Sequence, residues 1–208
     1  MTPWIAITAL GDSAVLLPMI AWIAICLMLP PPHRRDAWRW VLAAVVCGGC
    51  VMLSKLLFMA WGIRPPGLDY TGFSGHTALA ILVWPAVAAL LMRNRPAYQR
   101  WMAVAFGALI GLAVGVSRLA LRFHSPSEVW LGAILGAAVA FWFLRGLSST
   151  RATPGDPAGW RKAVLGCGTL AILVLCYGRV FPSQHLLQDM AVWLSGSPDV
   201  FTRHGRPG

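Results

Sequence analysis

Two histidines, one glutamate and a handful of cations stand out in a chain that otherwise avoids polar side chains. Lys55, Arg64, Ser74-Gly75-His76, Ser117-Arg118, His124 and Glu128 all fall at the ends of long apolar runs, and Glu128 is the only glutamate present. Charged groups at membrane depth are costly and mark functional sites. Cations, exposed backbone N–H groups, two imidazoles and a carboxylate together are what a phosphate-handling site needs.

The stretch Ser125-Pro126-Ser127-Glu128 has the form of a helix start, with Ser125 as N-cap, Pro126 first and Glu128 third. That is a capping box, which by itself accounts for Glu128. It does not account for His124 just before it, or for Ser117-Arg118 across the loop. A helix N-terminus disfavours imidazolium and leaves a neutral, nucleophilic ring. The same terminus favours a bound phosphate. Glu128 can accept a hydrogen bond from the far ring nitrogen of His124 and set its tautomer. In Ser74-Gly75-His76, Gly75 permits close backbone approach to an anion, and His76 can donate a proton to a leaving oxygen. Lys55 lies inside an apolar run, where a snorkelling lysine is the plainer account. Arg64 precedes Pro65-Pro66, where a helix must stop. Three cations around two histidines imply an anionic ligand.

The elements that must carry these residues are membrane helices. The chain has 208 residues, 58% hydrophobic and 12% charged, a balance of polytopic membrane proteins. Apolar runs fall at about 13–30, 40–62, 77–92, 101–117, 128–147 and 163–182, most near the ~20 residues that cross a bilayer. The expected fold is all-α, a bundle of six transmembrane helices, with 1–182 as the membrane domain and 183–208 as an interfacial helix or tail. In the tail, Leu186, Met190, Trp193 and Leu194 share one helical face. The composition of 148–159 is that of a flexible linker. No basic region precedes the first apolar run, so no cleaved signal peptide is expected.

The net charge of +10 does not indicate nucleic acid. The basic residues form no single patch and sit in short loops. Loops 33–39, 93–100 and 145–162 share one side and hold ten of the seventeen Lys and Arg residues. The positive-inside rule makes that side cytoplasmic. The other side holds Lys55, Arg64, Arg118, Arg122, Arg179, Arg203 and Arg206, and with them the polar set and both termini. Cys26, Cys47, Cys50, Cys167 and Cys176 lie in apolar runs and serve packing. Cys47-Gly-Gly-Cys50 lacks the partners a metal or redox site needs. Gly107, Gly111 and Gly115 in the fourth run and Gly132 and Gly136 in the fifth mark close helix contacts. These two helices are expected to pack on each other and fix the loop 117–128.

The polar set resembles the type 2 phosphatidic acid phosphatase superfamily of integral membrane lipid phosphatases. Its motifs are Lys-x6-Arg-Pro, Pro-Ser-Gly-His and Ser-Arg-x5-His-x3-Asp, and the third reads here as Ser117-Arg118, His124 and Glu128. The resemblance covers about 55–130. In the first motif eight residues separate Lys55 from Arg64, so the two converge only if the chain turns near Gly62. Phe73 replaces the proline of the second motif, and Glu128 replaces the aspartate of the third.

The resemblance implies that His124 attacks phosphorus, Glu128 orients it, and His76 protonates the leaving group and then activates water. Lys55, Arg64, Ser74, Gly75, Ser117 and Arg118 would bind the phosphate, with no metal and no cofactor. The implied substrate is a lipid with a terminal phosphate or pyrophosphate, such as undecaprenyl pyrophosphate, phosphatidic acid or phosphatidylglycerophosphate. Arg-rich, Ala/Gly-rich usage points to a bacterial inner membrane with a periplasmic site. The rivals are a phosphotransferase on the same scaffold, a non-catalytic lipid-binding scaffold, and a zinc site on His76, His124 and Glu128, which the surrounding cations would repel.

Overall fold

The helices form where the apolar runs fall. The computed structural model describes residues 3–29, 34–147 and 158–203. Its elements are α1 (Pro3–Ala9), α2 (Ser13–Met28), α3 (Arg34–Trp61), α4 (Gly75–Leu91), α5 (Ala97–Ala120), α6 (Pro126–Arg145), α7 (Ala158–Cys176) and α8 (Ser183–Ser195). The protein is all-α and polytopic. A helix lies over each of the six expected runs. The stretches Pro3–Met28, Arg34–Trp61, Ala97–Ala120 and Pro126–Arg145 are long and apolar enough to cross a membrane, and Gly75–Leu91 is a shorter apolar helix. Residues 148–157 of the expected linker, and Arg206, lie outside the described residues; α7 takes up the linker's last two positions.

Helix ends depart from the runs for local reasons. α3 starts at Arg34, ahead of the apolar residues, because arginine is a good helix former and Asp36 suits the positive first turn. α5 continues to Ala120, so Arg118 occupies its last turn. The first apolar segment is interrupted. α1 ends in a turn, and Asp12 caps α2 by accepting from the Ala14 amide at 2.8 Å.

α4 is the hub. Ala78, Ala80, Leu82 and Val83 are fully buried, and α2, α3, α5, α6 and α7 all pack on it. The glycine stripes serve this arrangement rather than the expected contact between α5 and α6. A Cβ on Gly111 would come within 2.9 Å of the Ile81 Cα, and one on Gly107 within 2.7 Å of the Trp84–Pro85 backbone. A Cβ on Gly132 would meet the Ser74 carbonyl, and one on Gly136 the Ala78 carbonyl. α5 and α6 therefore each clasp α4. Only Gly115, between Thr77 and Val129, touches both neighbours. Close approach at small residues drives packing in lipid, where burial of apolar area contributes little. Phe106, Leu109, Ile134 and Val174 point outward, exposed.

One end of the bundle is fastened by ions. Asp36, buried in α3, pairs with Arg93 just beyond α4. Arg39 donates to the Trp142 carbonyl at 2.9 Å and lies 4.4 Å from that indole ring. The three basic loops thus share an end, as expected. At the other end α8 packs Leu187 and Ala191 against Leu56, Met59 and Ala60. Leu186, Met190, Trp193 and Leu194 face outward.

Candidate active site

The site sits at the end opposite the basic loops, where α3 and α5 finish and α4 and α6 begin. α5 closes in a tight turn with Arg122 in the left-handed region (φ 56°). The Phe123 amide returns to the Arg118 carbonyl at 3.1 Å. Ser125 then caps α6 with the expected capping box. This places His124 one residue ahead of the cap, with Nδ1 2.7 Å from Glu128 Oε2. An ionised carboxylate only accepts hydrogen bonds, so Nδ1 carries a proton, and in the neutral ring Nε2 keeps its lone pair.

Glu128 is fully buried and meets donors on both oxygens. Oε1 accepts from the Thr71 amide (2.7 Å), the Thr71 hydroxyl (2.6 Å) and Arg203 Nη2 (3.0 Å). Oε2 accepts from His124, the Ser125 amide (3.0 Å) and the same Arg203 nitrogen (3.1 Å). The Ser74 amide donates to the Glu128 backbone carbonyl at 3.1 Å, which joins the start of α4 to the start of α6. Gly132 allows that contact, since any Cβ there would lie 2.7 Å from the Ser74 carbonyl oxygen. The segment before α4 is anchored again by the Phe73 amide on the Ser54 hydroxyl (3.0 Å) and by Gly72 packed on the Lys55 backbone.

His76 opens α4, with Nε2 3.5 Å from Asp12 Oδ2. Arg118 donates to the Thr8 hydroxyl at 3.2 Å, lies 4.5 Å from the Phe123 ring, and buries an Nε that has no partner among the described residues. Lys55 reaches Gln184 at 3.5 Å. Lys55 and Arg118 both lie close enough to act on the charge of His76 and of His124. The two imidazoles therefore share one cationic neighbourhood. Burial pushes His124 below its ordinary 6.5, Lys55 and Arg118 add to the fall, and Glu128 opposes it. The free N–H groups of the first turn of α4, including that of Gly75, face the same end.

Three expected side chains are not part of this cluster: those of Arg64 and Ser117, and that of Ser74, which is fully buried with its hydroxyl 2.9 Å from that of Thr77. Gly62 does turn the chain, ending α3 at φ 67°. Arg64 nevertheless stands exposed, without a hydrogen bond or ion pair among the described residues of the site. Ser117 is buried and its hydroxyl is spent on the Val114 carbonyl at 2.6 Å. Sequence reasoning missed Asp12, Thr71 and Arg203. Asp12-Ser13 ahead of an apolar run is a readable N-cap signal; Thr71 and Arg203 carried none. Among the described residues no group of three His, Cys, Asp or Glu side chains is placed to hold a metal ion.

Comparison with known proteins gives the family. The PAP2 superfamily profile matches residues 59–152. The chain is 39% identical over 201 residues to an uncharacterized 22.5 kDa protein in the cps region of Klebsiella pneumoniae, covering 96% of this chain and 95% of that one. It is 30% identical over 154 residues to phosphatidylglycerophosphatase B of Bacillus subtilis strain 168, covering 67% and 73%. No solved structure matches the chain. The protein belongs to the PAP2 superfamily, the type 2 phosphatidic acid phosphatases, a family of lipid phosphatases.

Proposed function

We propose that the protein hydrolyses the terminal phosphate or pyrophosphate of a membrane lipid through a phosphohistidine at His124. The observation that carries this reading is the 2.7 Å contact from His124 Nδ1 to Glu128, which leaves Nε2 as a lone-pair nucleophile beside two cations. Nε2 attacks phosphorus and the bond to the leaving oxygen breaks. His76 gives that oxygen a proton. The neutral His76 then takes a proton from water as its oxygen attacks phosphorus, the P–N bond breaks, and phosphate leaves with His124 restored. Lys55, Arg118 with its unpartnered Nε, and the first amides of α4 hold the phosphoryl oxygens. Phosphoryl transfer depends chiefly on positioning and charge stabilisation, and these groups supply both without a metal.

The lipid tail lies among the helices and the head reaches the outer end of the bundle. The name of the Bacillus relative supports phosphatidylglycerophosphate among the candidates, beside phosphatidic acid and undecaprenyl pyrophosphate. The asymmetry of basic loops supports a bacterial inner membrane with the site facing the periplasm. Residues 1–182 form a six-span domain and 183–208 an interfacial extension. The test is phosphate release by purified protein in detergent from each of these lipids. The reading expects release from at least one, and its loss in His124→Ala. Full activity in His124→Ala removes the nucleophile assignment, and no release from any of them removes the phosphatase reading.

A further inference from the structure

Arg203 lies beyond the region matched by the superfamily, yet it grips the carboxylate beside the nucleophile. Nη2 spans both oxygens of Glu128 at 3.0 and 3.1 Å, and Nη1 pairs with the Asp69 carboxylate. Asp69 also accepts, through its backbone carbonyl, from the hydroxyls of Ser125 (2.6 Å) and Ser127 at the start of α6. Arg203 therefore closes a knot made by the loop before α4 and the start of α6.

The approach of Arg203 is built into the C-terminal segment. α8 is seated on α3 through Leu187 and Ala191. The chain then turns at Gly196 (φ 64°), and the Phe201 amide donates to the Met59 carbonyl at 2.8 Å. The Phe201 ring covers Gly62, where a Cβ would come within 2.9 Å of it. Arg203 follows two residues later. Arg64, the guanidinium that the first motif leads one to expect, stands exposed nearby in sequence to that same turn.

We infer that Arg203 is a positioning residue, and that the strap 196–203 completes the site by fixing the Glu128 carboxylate against Nδ1 of His124. A glutamate has one torsion more than the aspartate of the family motif. A carboxylate on that longer arm has more ways to miss the imidazole, and the Thr71 and Arg203 contacts remove them. Both terminal nitrogens of Arg203 are already engaged by carboxylates, so it acts through Glu128 and not on the phosphate. This inference rests on the proposed function.

The test uses full-length Arg203→Ala and Arg203→Lys with wild type and His124→Ala alongside, on whichever lipid phosphate the wild type hydrolyses. Loss of the partner that orients a catalytic group is expected to cost about 10–100-fold, the range known for outer partners of metal ligands. In Arg203→Ala kcat should fall by that factor with KM little changed, and added guanidinium should restore part of it. Arg203→Lys, which keeps the charge but lacks the second terminal nitrogen that holds Asp69, should fall between the two. A rise in KM with kcat kept makes Arg203 a substrate ligand and overturns the inference. So does unchanged kcat, or a loss that guanidinium does not relieve and that tracks a lowered melting temperature. Wild type active with Arg203→Ala unimpaired defeats this inference alone; an inactive wild type defeats it together with the phosphatase reading.

Discussion

Restoring the family's aspartate at position 128 should harm this protein. Glu128 bridges two sets of donors: Thr71 on one oxygen, His124 and Ser125 on the other, with Arg203 across both, at 2.6 to 3.1 Å. Glu128→Asp draws the carboxylate back by one C–C bond, about 1.5 Å. The same backbone is held by the capping box and by the Ser74 amide, so it cannot follow freely. A contact of 2.7 Å lengthened by even two thirds of that retreat passes the ~3.5 Å at which a hydrogen bond ceases to count. At least one set must let go. A hydrogen bond to a charged group contributes about 1.5–3 kcal/mol. If the His124 bond is lost, the tautomer is no longer fixed, and at about 1.4 kcal/mol per decade kcat falls about 10- to 150-fold. If the Thr71 and Arg203 side is lost instead, the loop before α4 loosens and the melting temperature falls. The assay is steady-state phosphate release in detergent, paired with thermal unfolding of the same sample. Wild-type kcat and wild-type melting temperature together in Glu128→Asp would refute the bridging argument.

Three further predictions rest on separate features. The acid limb of kcat/KM should lie below pH 6.5, because the reaction needs neutral His124 and burial, Lys55 and Arg118 together lower its pKa; activity is retained as pH falls to that lowered value and is lost through it, and a limb at or above 6.5 contradicts this. Asp36→Asn removes the carboxylate charge that pairs with Arg93, which should cost about 1.5–3 kcal/mol of stability as read by thermal unfolding in detergent, with kcat per folded molecule unchanged because this pair lies at the far end from the site. Gly136→Ala drives a methyl into the Ala78 carbonyl and should cost about 1–3 kcal/mol, seen as a lower melting temperature; a neutral result would mean that α6 does not clasp α4.

The parts that were legible in the sequence are those with local causes. The Ser125–Glu128 capping box could be read because cap, proline and acid fall within four consecutive residues, and it appears as such. The helices could be read from apolar runs. A turn near Gly62 was the condition for Lys55 and Arg64 to converge, and the chain does turn there. Arg64 shows the limit: a turn redirects the backbone, but the direction of a side chain beyond it depends on what else fills the space, here Phe201 and the strap. The glycine stripes announced close contact without naming the partner. α4 carries no glycine past Gly75, so nothing local marked it as the helix that both stripes would clasp. α1 was missed because seven residues are too few to show a period, and the turn at Gly11-Asp12 divides an otherwise continuous apolar segment. Arg203 sits 75 residues beyond Glu128, and no periodicity or motif links two positions so far apart.

The central claim is a phosphoryl group carried on one named ring. Purified protein given a lipid pyrophosphate or phosphate radiolabelled at its terminal phosphorus, quenched in alkali where phosphohistidine survives, and digested for mass spectrometry would show it directly. The account predicts label on the peptide containing His124, stable to base and lost in acid, and absent from His124→Ala. Turnover with no label there, or label on another residue, contradicts it.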